Sequence, residues 1–463
     1  MLRDWQKDCS RRALTKYQCE HSHFFCQATP GAGKTILAAE IAKHLLSDNL
    51  IDLVLCFSPT LSVADSIKST FSKTLNCTFN GGLGSIGQSL TYQSIQFLND
   101  EFWQILTKYR VFVVFDEIHH CSGSEMEDAN VWGQQVLTKV QGLATYTLAL
   151  SGTPWRSDSL PIVMAEYSDP DGQLLVDYQY SLKQAIEDKV CRAPKIVLVD
   201  NEHLTITSDK TSDKEAQSFS SILELLKQTK TSYQSIINND EAMKYLLGLG
   251  CKKLASIRRE SPNAGGLVVA SSVQHAKRIQ KILVTQFHQS TVIVTYRHDE
   301  PLTEINAYRH GNTEWIVSVG MISEGTDIPR LQVCCHISSV KTELHFRQVL
   351  GRILRVSNEL NQEAWLFTFA EQSLIEYSER IEQDIPETCL FAKMGQNETI
   401  HVNGSKICAL QSTTFEQSDI DFSILKWGSS TKNEASVYGS NEPFDELRLG
   451  SFKQRVISAF LYD

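Results

Sequence analysis

Three stretches in the first 160 residues limit what this chain can fold into. "LVLCFSPT" (Leu53–Thr60), "VFVVFDE" (Val111–Glu117) and "YTLALSGT" (Tyr146–Thr153) are short, rich in β-branched and aromatic residues, and apolar without alternation. A strand with one wet face alternates polar and apolar residues, whereas a strand apolar on both faces must be covered on both. The helix-like "LSVADSIKSTFSK" follows the first run directly. Strand then helix, several times over, predicts a parallel sheet with helices packed on it.

The pattern starts again in the second half. "APKIVLVD" (Ala193–Asp200) opens a new series, and "GGLVVASSVQHAKRIQKILV" continues it, with Ser271 or Ser272 able to cap a helix behind the strand Leu267–Ala270. "TVIVTY", "WIVSVG" and "LQVCCHIS" read as three more core strands. A chain of 463 residues exceeds one ordinary core, so the two series predict two α/β domains in tandem. Residues 201–262, with "SSILELLKQT" and "EAMKYLLGLGCKKLASIRRE", have helical spacing and no strand signal, and are read as a helical insertion in the second domain. After about Glu371 the sequence turns polar and turn-rich, leaving a small C-terminal element. The expected boundaries are 1–188, 189–372 with the insertion at 201–262, and 373–463 for the accessory segment.

Composition narrows the setting. No apolar run reaches the roughly 18 residues of a membrane span, and the charged start "MLRDWQKDCSRR" is not that of a secretory signal. The expectation is a cytoplasmic chain without a membrane partner. Its 12 cysteines form no CxxC pair or Cys/His cluster and are read as buried free thiols. The net charge of −10 weighs mildly against nucleic-acid binding, although a basic cleft can coexist with an acidic exterior.

The chemistry begins at "ATPGAGKT" (Ala28–Thr35). A loop that wraps an anion needs glycines so that backbone N–H groups can curl around it, a lysine for the β- and γ-phosphates, and a hydroxyl for Mg²⁺. Gly31, Ala32, Gly33, Lys34 and Thr35 supply these parts. The helical "ILAAEIAKHLL" behind them aims its N-terminus at the phosphates. The strict motif starts with Gly, where this chain has Ala28. In "VVFDEIHH", Asp116 leaves a buried strand where it can reach Mg²⁺ through water, and Glu117 follows as general base for the attacking water. ATP and Mg²⁺ are the expected ligands, with Thr35 and Asp116 on the metal.

Further motifs sharpen the class. "LSGTPWR" (Leu150–Arg156), "VGMISEGTDIPRL" (Val319–Leu331) and "RQVLGRILR" (Arg347–Arg355) follow the loop and the acids in order. Together, over roughly residues 1–370, the set resembles superfamily 2 helicases and translocases of the DExH type. The resemblance implies two RecA-like domains that clamp ATP between them. Gln348, Arg352 and Arg355, spaced for one helix face, would then serve the cleft, with one or both arginines acting as an arginine finger, a contact worth roughly 10³–10⁵ in rate in other phosphoryl-transfer enzymes. Gly351 beside Arg352 would permit close approach to the ligand. Gly325 and Asp327 match the family segment that touches both nucleotide and nucleic acid. Ser151 and Thr153 match the motif that links hydrolysis to domain movement. "LRDWQ" resembles the adenine-reading segment, with Gln6 on the adenine edge and Trp5 where Tyr is common.

For nucleic acid, the resemblance points to Thr60, Thr91 and Gln93 in the first domain and Ser271 and Ser272 in the second. Contacts of this kind position a strand without reading its bases. The looser likeness around "SGTPWRSD" and "YSLKQAIEDKVCRAP" is to bacterial and phage DNA-directed helicases, so DNA is favoured over RNA. The tail has acids and a few lysines but no PD-(D/E)xK arrangement on predicted strands, and nuclease activity is not expected. The leading reading is a DNA helicase or translocase. Two alternatives stay open: an RNA helicase, or a nucleic-acid-sensing ATPase that signals to a protein partner, as in a genome-defence complex.

Overall fold

The structure, a computed structural model, describes residues 2–122, 129–153, 160–169, 172, 174–208, 215–295, 301–322, 326–357, 359–382, 446–449 and 451–458. Its first part runs α1 (Asp4–Gln18), β1 (His23–Ala28), α2 (Lys34–Ser47), β2 (Leu53–Ser58), α3 (Leu61–Leu75), β3 (Gly87–Thr91) and α4 (Tyr92–Ile95). Two single turns, α5 (Asp100–Trp103) and α6 (Ile105–Lys108), lead to β4 (Val111–Asp116), α7 (Val131–Lys139) and β5 (Tyr146–Ser151). A short antiparallel pair, β6 (Glu166–Tyr167) and β7 (Leu174–Leu175), precedes β8 (Tyr178–Tyr180) and α8 (Leu182–Glu187). The strands form one six-stranded sheet in the order β3-β2-β4-β5-β1-β8, parallel throughout.

All six residues of β4 are buried, as its unbroken apolar run requires. At ~1.5–3 kcal/mol for each large apolar side chain taken from water, these central strands carry much of the folding energy. α1 lies against the sheet edge through Trp5, which stacks on Tyr180 of β8 with ring centroids 4.7 Å apart. The indole in place of the usual Tyr is thus a packing choice.

The second part begins with β9 (Pro194–Asn201), β10 (Leu204–Ser208), β11 (Glu215–Phe219), α9 (Ile222–Gln228), α10 (Tyr233–Ile237) and α11 (Asp240–Ile257). It continues through β12 (Gly265–Ala270), α12 (Val273–Phe287), β13 (Thr291–Thr295), α13 (Pro301–His310), β14 (Trp315–Val319) and β15 (Leu331–Ile337). α14 (Glu343–Ile353), β16 (Ala364–Phe369), α15 (Gln372–Glu382), β17 (Glu446–Leu449) and β18 (Phe452–Ser458) complete it. The second sheet has the order β13-β14-β12-β15-β16-β9-β18, parallel except for β18. The architecture is two tandem RecA-like α/β domains with parallel sheets.

Two local expectations change. Residues 201–262 are not wholly helical: β10 and β11 form a hairpin there, and β17 pairs with β10 from the far end of the chain. The polar composition hid these strands because β10 takes one partner from more than 230 residues away. Within 373–463, α15 continues the second domain, and β18 lies antiparallel to β9 along seven residue pairs, from Asn201↔Phe452 to Lys195↔Ser458. Ten described cysteines are free, and Cys334 and Cys335 are both buried in β15, as adjacent thiols in a doubly covered strand must be.

Two histidines sit inside the second domain as neutral rings. Burial pushes His275 down to about 4 and His336 down to about 3 from the ordinary 6.5. The unfolded chain therefore takes up protons between about pH 6.5 and 4 that the folded chain refuses, and stability falls as pH drops through that window. Urea unfolding should show a midpoint lower at pH 5 than at pH 7, by roughly 1 kcal/mol or more per histidine. His275→Gln should shrink the difference; a midpoint flat across the window would contradict it.

Candidate nucleotide site between the two sheets

β1 ends at Ala28, and the chain curls through Thr29–Gly33 into α2, whose first residue is Lys34. Gly33 caps the helix at φ 95°, a left-handed conformation that a side chain would strain, and a Cβ there would meet the Gln6 amide at 2.9 Å. The loop is braced from behind by the start of α1. Arg3 Nη1 donates to Ala32 O at 2.6 Å, and Gln6 Nε2 donates to Gly33 O at 3.0 Å. Gln6 Oε1 accepts from Arg3 N at 2.9 Å, and the residue is 2% exposed. The expected adenine reader therefore has both ends of its amide engaged with the chain. Here it braces the Gly31–Gly33 loop.

Lys34 is 9% exposed, and its Nζ donates to Ala28 O at 3.1 Å. The same nitrogen lies 3.0 Å from Glu117 Oε1. Glu117 follows β4 at φ 52°, which turns its side chain away from the strand line. Its Oε2 accepts from Gly152 N at 3.0 Å and from Ser151 Oγ at 3.4 Å, and lies 3.4 Å from His119 Nδ1. His119 in turn meets Ser151 Oγ at 2.9 Å. Burial alone would raise the Glu117 pKa. The Lys34 ammonium, His119 and the Gly152 N–H outweigh it and hold the carboxyl down at about 2. Glu117 is therefore ionised at neutral pH and weakly basic while Lys34 stays on it.

The second domain supplies the facing wall. Gln348 and Arg352 lie on α14, each 8% exposed, and Arg352 Nη1 donates to Thr326 O at 2.7 Å. Arg355 does not share their helix face. α14 ends at Ile353, and Arg355 continues in an extended bridge with Cys191, its guanidinium paired with the Asp327 carboxylate. Gly351 makes its close approach to the phosphate loop itself: a Cβ there would come 2.7 Å from Pro30 Cβ. Gly325 lies outside the described residues.

A cavity of about 380 Å³ gathers these groups, within the range of small-molecule sites. Gly31, Gly33, Lys34, Thr35, Asp116 and Glu117 line it from the first domain. Asp327, Gln348, Arg352 and Arg355 line it from the second. Thr35 and Asp116 offer hard oxygen donors on the same wall, a set that suits Mg²⁺. A larger cavity of about 580 Å³ opens beyond Pro30, Thr153 and Gly351, but among the described residues its walls carry neither Lys34 nor the two acids. The smaller cavity is the candidate site.

The nucleic-acid candidates are placed less tightly. Thr60 caps α3, Thr91 caps α4 and Ser272 caps α12, each accepting from a backbone N–H. Thr60 stands two residues past the end of β2 and Thr91 closes the neighbouring β3, where it is in register with Ser58, and Gln93 is exposed beside them. Ser271 differs. His275 Nε2 faces Ile237 O at 3.1 Å, and a carbonyl only accepts, so Nε2 carries the ring proton and Nδ1 accepts. The Ser271 hydroxyl, 2.8 Å from Nδ1, gives its proton inward, while exposed Ser272 keeps its own.

The sequence reading missed three residues: Arg3, His119 and the linker residue Arg192. The first two stand inside the motifs "LRDWQ" and "DEIHH"; the third stands inside "YSLKQAIEDKVCRAP", a stretch read only for its likeness to DNA-directed helicases.

Residues 1–156 match the sequence model of the family described as "Type III restriction enzyme, res subunit". An uncharacterized protein of Mycobacterium tuberculosis is 29% identical over 401 residues, 82% of this chain and 63% of that protein. The chain thus spans less than two thirds of the length of that relative. The protein named DNA 3'-5' translocase XPB2 of Sulfurisphaera tokodaii is 24% identical, over 75% of this chain and 77% of its own. Among solved structures, a fragment of a putative HsdR subunit of a type I restriction enzyme from Vibrio vulnificus shares the fold, with a TM-score of 0.55, 15% identity and coverage of 83% of this chain and 67% of that one. These likenesses together support a superfamily 2 helicase-like protein.

The brace formed by Gln6 has a measurable consequence. Gln6→Ala should weaken ATP and GTP binding by similar factors, several-fold each, because it loosens the loop that holds phosphates common to both. A loss confined to ATP would show instead that Gln6 reads the base.

Proposed function

We propose that the chain is an ATP hydrolase of the helicase or translocase type that acts on DNA, working in the cytoplasm through a domain at 1–188 and a second that begins at 189 and takes α15, β17 and β18 from 373–463. The observation that carries the proposal is the single cavity in which Lys34, Thr35, Asp116 and Glu117 face Gln348, Arg352 and Arg355. A site assembled from two domains couples what occupies it to their relative position.

The residues divide the work. The loop Gly31–Thr35 takes the phosphates, and Lys34 exchanges Glu117 for the β- and γ-oxygens. Thr35 and Asp116 are the groups that would hold Mg²⁺, which supplies charge neutralisation on the phosphates when bound. Losing Lys34 removes the main charge that depresses Glu117, so its carboxylate becomes a better proton acceptor just when a water must be oriented. Arg352 and Arg355 bring positive charge from the second domain to the transferring group. Ser151, bonded to Glu117 and next to Gly152 and Thr153 at the domain cleft, ties the state of the acid to the interface.

DNA is favoured over RNA because the Sulfurisphaera relative is a DNA translocase by name. With net charge −10, binding would use the amides and hydroxyls near Thr60, Thr91, Gln93 and Ser272, and its salt dependence should be shallow. A protein partner would supply the specificity that the remainder of the longer relatives could carry.

Steady-state ATP hydrolysis, alone and with single-stranded DNA, duplex DNA, a branched junction and RNA, tests the reading. DNA should stimulate turnover, and Lys34→Ala should abolish it. Glu117→Gln should bind ATP yet turn over roughly 10²-fold or more slowly. Stimulation by RNA alone would move the assignment to an RNA helicase. Lys34-dependent hydrolysis that no nucleic acid stimulates would move it to a sensor awaiting its partner.

A further inference from the structure

Between the two sheets the chain crosses at Cys191 and Arg192, and Arg192 is 2% exposed. All five guanidinium N–H groups are used. Nε donates to Gln362 Oε1 at 3.0 Å. Nη1 donates to Leu331 O at 2.7 Å and Ile353 O at 3.2 Å. Nη2 donates to Pro329 O at 3.2 Å and Ser357 Oγ at 2.9 Å. The backbone N–H adds a bond to Leu354 O at 2.7 Å. No carboxylate among the described residues pairs with it, so a full positive charge is buried against dipoles alone. That is costly for stability, and an apolar side chain of similar size would fill the space more cheaply.

The acceptors explain what the charge achieves. Pro329 and Leu331 lie two and four residues after Asp327; Ile353, Leu354 and Ser357 bracket Arg355. Both ends of the Arg355–Asp327 pair are therefore strung between points that Arg192 holds. Cys191 closes the arrangement: its backbone bridges Arg355, and its Sγ donates to Pro30 O in the phosphate loop at 3.6 Å. Arg355 Cγ lies 3.3 Å from where a Gly31 Cβ would stand.

We infer that Arg192 is a positioning residue for the nucleotide site, setting Arg355 and Asp327 against the phosphate loop from the domain crossover. The inference rests on the ATP-site reading above. A planar five-donor fork is needed for the task, since a lysine ammonium offers three donors from one point and cannot span Pro329 to Gln362. The crossover between the two sheets thus also holds the chain on either side of Arg355 and behind Asp327.

Arg192→Lys, Arg355→Ala and the double variant, with Lys34→Ala as reference, test it by steady-state ATP hydrolysis with KM and kcat separated. Arg192→Lys should lower kcat on the order of 10-fold while KM changes less than about 3-fold, and in the Arg355→Ala background it should lower kcat no further. Should Arg192→Lys not fold, Ser357→Ala removes one acceptor, with an expected loss of roughly 2- to 5-fold that likewise vanishes without Arg355. Lys34-dependent hydrolysis in which the two losses multiply, or in which only KM rises, overturns the inference alone. Hydrolysis that survives Lys34→Ala overturns the ATP-site reading and the inference together.

Discussion

The ion pair between Lys34 and Glu117 is the constraint on which the site depends. Lys34 is nearly buried, and a buried ammonium without an anion is expensive, so something must always face it. In this structure the anion is Glu117, together with the Ala28 carbonyl. On the proposed reading a phosphate chain replaces Glu117 on Lys34, and the exchange frees that acid. One ion pair thus keeps the loop ordered, suppresses the basicity of Glu117 and makes its release conditional on an anion entering. The same carboxylate holds the Gly152 N–H and Ser151, so the release is felt at the end of β5, where the second domain approaches.

The second domain meets that loop through contacts that leave little freedom. Gly351 lets α14 rest on Pro30, Cys191 reaches the Pro30 carbonyl, and the Arg192 fork fixes the two loops behind them. The first two are contacts of backbone and a short side chain, and the third is a long side chain held at all five of its donors. The cavity is consequently a property of the pair of domains.

Much of this was legible in the residues. The doubly apolar runs at Leu53, Val111, Tyr146, Gly265 and Leu331 became central strands, because nothing but a covered parallel sheet hides both faces. That the Gly31–Thr35 loop and the acids Asp116 and Glu117 belong together was legible from their spacing and residue types, and one cavity gathers them. What escaped depends on distance along the chain. β10 needs β17, β9 takes β18, and no window of sequence contains both partners. The Arg192 fork that holds the chain on either side of Arg355 stands 163 positions earlier, in the stretch "YSLKQAIEDKVCRAP", which says nothing of that distant contact. Gln6 was read by its motif, whereas its geometry shows a hydrogen-bonded brace. Thr60, Thr91 and Ser272 show the ambiguity of hydroxyls at helix starts: a cap and a phosphate contact call for the same residue at the same place.

The most direct test of the account is a structure of the protein with a non-hydrolysable ATP analogue and Mg²⁺. The account expects the phosphates in the Gly31–Thr35 loop, Lys34 turned from Glu117 to the β- and γ-oxygens, and Arg352 or Arg355 of the same chain on the γ-phosphate. A nucleotide bound elsewhere, or one bound while Lys34 remains paired with Glu117, would contradict it.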